Sequence, residues 1–296
     1  MAYNIPNHDL SHRTEADHWE SSEKRRKKHA SLLEKNPWGV DIMVGSFHLN
    51  MMFSTAADPE VARLETWEAW AANMQIHHAL FMLQTNPPGT DLELMVHHQI
   101  RRTKATGPRY STNAGNWSTA FFLAIICRDQ QRYRQLCEIP VELLREAGES
   151  EGTRYNPYTY HWIAARQAFV LNRPDLGEEL LAAMELSTPE RVDFGSREAL
   201  DKLVFPPMNA FLRLVERDSD KFNEALAQGL ALHRDYYTAT PKRAQDIEGA
   251  IPLGLLAMAC LAHDTARHDP TFRLEVESGY LPTHLVHNTW HGEFPI

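Results

Sequence analysis

The stretch Ile251-Pro-Leu-Gly-Leu-Leu-Ala-Met-Ala-Cys-Leu-Ala-His263 decides the fold of this chain. From Pro252 to Ala262 it contains no charged residue, and an apolar helix without a polar face has to be surrounded by protein. A proline near the start suits the first turn of a helix, where its missing N–H costs nothing. His263-Asp264 marks the expected end of the helix. Because about a dozen residues fall short of the roughly 20 that a bilayer requires, we predict a central core helix.

The segments on either side are predicted to pack against that helix. Upstream, residues recurring at intervals of three or four form one face of a helix over 220–238: Phe222, Leu226, Leu230, His233 and Tyr237. Downstream, residues 274–280 form either a short helix or a brief extended piece. Leu281-Pro282 then ends regular structure, since the residue before a proline avoids the α region.

Composition limits the classes of protein that the chain can belong to. With 296 residues, of which 43% are hydrophobic, it can bury a sizeable core as one large domain or as two helical halves. A net charge of −9 argues against nonspecific binding of nucleic acid and suits a basic partner. The three cysteines lie in apolar helical patterns, and the N-terminus has no secretory signal pattern. We therefore expect a reduced, cytoplasmic protein that does not bind a membrane.

Apolar residues at helical spacing, interrupted by Pro, Gly and Asp turns, predict an all-α fold. A first clear helix is expected to start at Asp58-Pro59-Glu60, and Asn116 is expected to cap a later one. Further helices are predicted over 91–100, 158–172, 175–186, 196–217 and 220–238. The predicted architecture is an array of antiparallel helical hairpins around the apolar C-terminal helix. Residues 1–57 are predicted to be a polar, irregular extension that packs on the core, and 58–296 to be the all-α domain.

Several motifs resemble the immunity protein 49 family, whose members are regarded as antitoxins of bacterial polymorphic-toxin systems. The resemblance extends over about residues 60 to 285. It rests on six segments, strongest at the C-terminal end: Phe222-Asn-Glu-Ala-Leu226, His233-Arg-Asp-Tyr-Tyr237, the Ile251 stretch, Glu277-Ser-Gly-Tyr-Leu-Pro282, Ala124-Ile-Ile-Cys-Arg-Asp129 and Leu136-Cys-Glu-Ile-Pro140. It implies a cognate toxin domain as the partner and supplies no catalytic motif.

Sixteen histidines raise the question of a metal site. The doublets His77-His78 and His97-His98 cannot chelate alone, because adjacent helical residues point about 100° apart. The i, i+4 pair that a helical zinc site uses is absent. His78 lies in an apolar stripe, which favours a hydrogen-bonded core histidine. We predict no metal and no cofactor.

Two groups of side chains are candidates for contact with a partner or ligand. Tyr158, Tyr160 and His161 lie in the aromatic segment 155–162, which forms either a ligand-facing rim or a packed helix start. The second group consists of His233, Tyr236, Tyr237, Glu277, Tyr280 and His284, with Glu248 beside them. If its three segments converge, it could perform acid–base chemistry, although capping and buried polar networks explain such residues as well.

Two functions follow from these observations. The first is a non-enzymatic immunity protein that binds and neutralises a cognate toxin domain, with a basic, nuclease-like toxin as the expected partner. The alternative is an enzyme or small-ligand-binding protein of biosynthesis, with a helical pocket lined by His, Tyr and Glu. The missing catalytic motif favours the first function, and no catalytic residue is assigned.

Overall fold

A computed structural model describes residues 3–10, 16–188 and 190–290, with the backbone alone at 16–19 and 22. Helices account for 64% of the described residues and strands for 6%. The predicted all-α class is therefore confirmed.

The chain forms two compact units. The N-terminal unit comprises residues 16–58 and 62–154, and the C-terminal unit comprises 3–10, 59–61 and 155–290 without residue 189. The residues thus group differently from the predicted division at 57/58. The first strand belongs to the C-terminal unit, whereas residues 16–57 contain two long helices of the N-terminal unit.

The N-terminal unit is built on consecutive helices, with α2 (Val40–Ala57) packed against both α1 (Ala16–Leu32) and α3 (Leu64–Thr85). α3 is buried over most of its circumference, so that Trp70, Asn73 and Ile76 are fully inaccessible. A 3₁₀ turn (Pro37–Gly39) precedes α2. The elements in chain order are α1 (Ala16–Leu32), α2 (Val40–Ala57), α3 (Leu64–Thr85), β2 (Asp91–Val96), β3 (Gln99–Lys104), α4 (Ala114–Ile126), α5 (Gln130–Cys137) and α6 (Val141–Gly148).

The helix predicted over 91–100 is wrong, because this segment forms the antiparallel hairpin β2–β3. His97 and His98 both have positive φ angles, 53° and 61°, as a two-residue type I′ hairpin turn requires. Two basic residues of this segment pair across the strands. Lys104 Nζ lies 2.7 Å from Asp91 Oδ1, and Arg102 Nε lies 2.9 Å from Glu93 Oε1.

Two predicted helix starts are also wrong in position. Asp58 does not open α3 directly; its carboxylate accepts the N–H groups of Ala62 and Arg63 at 3.2 and 2.9 Å. Val61, between Asp58 and these two residues, has a φ angle of 52°. Because this angle interrupts a right-handed helix, α3 starts only at Leu64. In α4 the cap is Asn113, and its side chain accepts the N–H of Asn116.

The C-terminal unit contains most of the elements that the sequence predicted. The helices predicted over 158–172, 175–186 and 220–238 are confirmed, and each of their ends lies within one residue of the prediction. The helix predicted over 196–217 contains a π-helical turn (Leu200–Val204) before its two prolines. The elements are β1 (Tyr3–Ile5), α7 (Tyr158–Leu171), α8 (Leu176–Leu186), α9 (Arg197–Ala199), α10 (Phe205–Val215), α11 (Ser219–Thr238), α12 (Pro241–Ala244), α13 (Leu253–His268), β4 (Val276–Ser278) and α14 (Thr283–Val286).

The predicted core helix is α13, which packs against α10, α11 and α14. Leu256 to Cys260 are completely buried, as the uncharged stretch indicated. The helix ends at His268, about one turn beyond the expected end. Within the described residues, Ile247–His268 is the segment long and apolar enough by composition to cross a membrane, and 61% of its window is buried inside the protein. A mostly buried core helix satisfies the same criterion.

The first and last strands of the C-terminal unit pair in parallel. Tyr3 aligns with Val276, Asn4 with Glu277 and Ile5 with Ser278. The Ser278 hydroxyl also donates to the Ile5 carbonyl at 2.6 Å. This pairing brings the residues after β1 onto α11 and the turn that precedes α13.

Candidate functional site

Three of the predicted site residues meet in a buried group of rings, here called the His233 cluster: His8, His233, Tyr237 and Tyr280. The His233 ring lies 4.7 Å from that of Tyr237 and 5.0 Å from that of Tyr280. The His8 ring is parallel to that of Tyr237 at 6.1 Å. The sequence left open whether the α11 and β4 segments converge, and the structure brings them together with His8, which was not predicted. No local signal marks His8, since 272 positions separate it from Tyr280.

Hydrogen bonds and burial fix the protonation states in the His233 cluster. His233 Nε2 donates to the Gly249 carbonyl at 3.0 Å, and burial lowers the His233 pKa to about 4. The Tyr280 hydroxyl accepts the backbone N–H of His8 at 3.1 Å and lies 2.7 Å from His8 Nδ1. Burial raises the Tyr280 pKa to about 12. At neutral pH His233 and Tyr280 are therefore both uncharged.

Glycines show how tightly the His233 cluster is packed. A Cβ atom at Gly249 would lie 2.7 Å from Tyr237 Cδ1 and 2.9 Å from His8 Cε1. At Gly279 it would lie 2.7 Å from the side chain of Asn7. These contacts leave no space for an added methyl group, and Tyr280 is fully buried. The cluster therefore holds residues 3–8 against the rest of the C-terminal unit.

The other predicted site residues lie at different places in the C-terminal unit. Tyr236 is covered by the guanidinium of Arg243 at 3.9 Å, which also bonds Glu198 at 2.9 Å. His161 Nδ1 lies 2.7 Å from Glu179 Oε2 of α8. The remaining positions are a half-buried Tyr158, a buried Tyr160 whose ring is 6.3 Å from that of Tyr155, and a half-buried His284 bonded through Nδ1 to Thr289 at 2.7 Å.

Glu277 lies on a cleft of about 690 Å³ that follows the whole of β4, here called the β4 cleft. Its lining includes three carboxylates and, of the described residues, no lysine or arginine. The lining residues are Asn4, Glu60, Leu274, Glu275, Val276, Glu277, Ser278, Gly279, Leu281, Thr283, Val286 and His287. Sequence reasoning identified Glu277 and missed Glu60 and Glu275. Glu60 could not be found in this way, because it reaches the cleft from a distant part of the chain.

The backbone around Glu60 is held firmly in this position. Glu60 Oε2 accepts the Thr283 N–H at 3.0 Å, and its carbonyl accepts the His284 N–H at 3.3 Å. The next residue, Val61, has a left-handed φ of 52°, which is unfavourable for a β-branched residue. Trp290 Nε1 donates to the Val61 carbonyl at 2.7 Å, so the neighbouring structure stabilises this turn and fixes Glu60 at the wall of the cleft.

The N-terminal unit carries an exposed group of a different kind, here called the Trp38 patch: Trp38, Ile42, Arg109 and Tyr110. Trp38 is 56% and Ile42 is 70% exposed. The Arg109 guanidinium lies 5.5 Å from the Trp38 ring and donates to the Trp38 carbonyl at 2.7 Å. Tyr110 donates a short hydrogen bond to Asp41. Sequence reasoning missed this patch, although a tryptophan in a Pro-Trp-Gly turn was its signal.

Two adjacent histidines of α3 are enclosed by the protein. Burial lowers the pKa of His77 to about 3 and that of His78 to about 4. His78 Nε2 lies 2.8 Å from Gln135 Oε1, which confirms the hydrogen-bonded core histidine that was predicted. In the described part of the chain, no group of three or more His, Cys, Asp or Glu residues is arranged to hold a metal ion.

The family model described as immunity protein 49 matches residues 58–285. The chain belongs to this family. No curated protein and no solved structure matches the chain. The region shared with the immunity protein 49 family includes Glu60 and β4 of the β4 cleft, whereas His8 and Trp38 precede it.

Proposed function

We propose that this immunity protein neutralises a cognate polymorphic-toxin domain in the cytoplasm by binding it directly. The observation that carries the proposal is family membership over residues 58–285, which extends through most of both units. An immunity protein of this kind has to present a complementary surface, and it does not need a catalytic group of its own.

The placement of the polar side chains supports action by binding. His233 and Tyr280, which could serve in acid–base chemistry, are buried and bonded within the His233 cluster. In contrast, the β4 cleft and the Trp38 patch are open to a partner. Exposed Trp, Tyr and Arg side chains are the types that supply most of the binding energy at protein interfaces.

The charge balance supports a basic partner. Nuclease domains have to be cationic to hold a phosphate backbone, and this chain has a net charge of −9. An acidic inhibitor is attracted to such a domain and can compete with nucleic acid for the same face. Charge of this kind acts mainly on the association rate, which salt then reduces.

The test is co-expression with the toxin domains encoded beside the gene. We expect the immunity protein to restore growth and to co-purify with one of these domains, with an association rate that falls as salt is raised from 50 to about 500 mM. Persistent toxicity with both proteins soluble, or the lack of any binding by these domains, would contradict the proposed function.

A further inference from the structure

The second edge of β4 has backbone hydrogen-bonding groups that no other described strand uses, although the Ser278 carbonyl already accepts the Leu281 N–H at 2.9 Å. The Tyr3 N–H donates to the Glu275 carbonyl at 2.9 Å, and a parallel ladder engages alternate residues of each strand. Glu275 and Glu277 therefore direct their backbone groups towards β1, and Val276 and Ser278 direct theirs to the opposite edge. Among residues 3–10, 16–188 and 190–290, no strand pairs with that edge. An open edge is a ready template for another extended chain.

The shape of the β4 cleft suits such a chain. Residues 274–279 line the cleft, so it extends along the full length of β4, and Asn4 of the paired strand β1 also lines it. The rest of its lining comes from Glu60 and from the segment after β4, with Leu281, Thr283, Val286 and His287. At about 690 Å³ it lies in the range of ligand-binding clefts.

Charge determines what kind of chain fits. Glu275 and Glu277 are two positions apart on one strand, so their side chains share a face, and Asn4 joins them through its pairing with Glu277. Glu60 adds a third carboxylate from outside β4. Arg273 is the cation paired nearby, with its Nε 3.7 Å from Glu275 Oε1 at an exposed position. A segment with lysine or arginine at alternate positions complements this lining, and an acidic segment is repelled.

We propose that the β4 cleft is the docking site of the toxin domain, which adds an extended basic segment as a further strand on β4. This inference rests on the proposed function and identifies its surface. Main-chain hydrogen bonds to the N–H and carbonyl of Val276 and to the N–H of Ser278 hold the segment, while Glu60, Glu275 and Glu277 select its cationic side chains. Strand addition obtains affinity from the backbone and specificity from alternate side chains in this way.

Charge reversal in the cleft tests the electrostatic part. Glu277 is exposed, so Glu277→Lys leaves the fold intact, and the association rate with the toxin domain falls about 3- to 10-fold. Glu224→Lys is the matched control, because Glu224 is an exposed glutamate on α11 outside the cleft. The control changes the net charge equally and keeps the association rate within about twofold of the wild type. Equal rates for the two variants would overturn the proposal.

Hydrogen exchange tests the backbone part. In the complex, the amides of Val276 and Ser278 exchange at least about tenfold more slowly than in the free protein, because new strand hydrogen bonds have to open first. Unchanged exchange at these two amides overturns strand addition. A concentration-dependent dimer of the free protein that protects the same amides assigns the edge to a second copy and also overturns the proposal.

The Trp38 patch provides the competing surface. If Trp38→Ala weakens binding of the toxin domain and Glu277→Lys does not, the docking site is the Trp38 patch and the inference fails, while the proposed function stands. If the wild-type protein binds none of the toxin domains encoded beside the gene, the proposed function fails and the inference fails with it. The two failures are therefore distinguishable.

Discussion

The five residues from Val276 to Tyr280 contribute to two neighbouring regions that differ in burial and in charge. On one side, Tyr280 is fully buried in the His233 cluster, and its hydroxyl bonds the backbone of His8. On the other side, Glu277 is exposed on the β4 cleft. One region is closed by packed rings, whereas the other is open and acidic. Glu277 lies within β4 and Tyr280 lies in the turn that follows it, so a single short segment can hold the fold with one residue and present charge with another.

This difference indicates where substitutions affect stability and where they affect binding. In the His233 cluster a methyl group has no space, and the polar atoms of His233 and Tyr280 have partners inside the protein. In the β4 cleft Glu60 and Glu277 are exposed and Glu275 is half-buried, and no packed contact depends on Glu277. Changes in the cluster should therefore alter the free energy of unfolding, and changes in the cleft should alter association.

The largest effect is expected from Leu256→Asp, which places a charge in the buried core helix α13 of the C-terminal unit. Leu256 is fully buried, and an unpaired carboxylate in a core costs several kcal/mol, comparable with a total stability of about 5–15 kcal/mol. We expect circular dichroism to show an unfolded or aggregated C-terminal unit. Leu181→Asp is the control, because Leu181 is 56% exposed and should tolerate the change. A soluble Leu256→Asp protein with an unchanged melting temperature would show that α13 is not central.

A smaller loss is expected from Gly249→Ala, which tests whether the His233 cluster is as closed as its geometry indicates. The new Cβ would lie 2.7 Å from Tyr237 Cδ1, and overpacking of this kind costs about 1–3 kcal/mol. Gly177→Ala is the matched control, since Gly177 lies in α8 with nothing within 4 Å of the added atom. There, alanine should stabilise the helix by about 0.5–1 kcal/mol. Urea denaturation of both variants measures the difference, and equal stabilities would mean that the cluster can relax.

The pH dependence of stability provides a third and finer test. His233 has a pKa of about 4 in the folded protein against 6.5 ordinarily, so the unfolded chain takes up a proton more readily. The stabilisation by neutral His233 is complete above pH 6.5, is lost as the pH falls towards 4, and is worth up to about 3 kcal/mol. His233→Gln keeps a hydrogen-bond donor near the Gly249 carbonyl and removes the titrating imidazole.

The measurement is urea unfolding of wild type and His233→Gln between pH 7 and 4. We expect the stability gap between the two proteins to narrow as the pH falls, because only the wild type has to protonate His233 on unfolding. His77 and His78 are present in both proteins, so their own acid sensitivity cancels in the difference. A gap that stays constant over this range would show that His233 is not held neutral by burial.

Local sequence patterns were sufficient for the main helices of the C-terminal unit, but they missed α1 and α2 and most of the surface. Residues 252–262 contain no charge, so α13 could be predicted with its burial, and the apolar face of α11 was found by its period. The β2–β3 hairpin was missed because its turn is His97-His98 rather than the Asn-Gly or Asp-Gly pairs that mark type I′ turns. With that signal missing, the apolar and basic residues of the strands were assigned to a helix.

Sites assembled from distant segments could be predicted only in part. The sequence left open whether His233, Tyr237 and Tyr280 meet, although their two segments flank the same core helix. His8 and Glu60 join their sites through the parallel pairing of β1 and the left-handed turn at Val61, which depend on tertiary structure alone. The composition predicted an acidic protein, and the fold determines which carboxylates share one cleft.

The most direct test of this division measures two properties in two variants. Gly249→Ala should lower the melting temperature by several degrees, about 2–4 °C per kcal/mol, and leave the association rate with the toxin domain unchanged at a temperature where it is folded. Glu277→Lys should leave the melting temperature unchanged and lower the association rate about 3- to 10-fold. Both properties changing together in either variant, or a normal association rate for Glu277→Lys, would contradict the account.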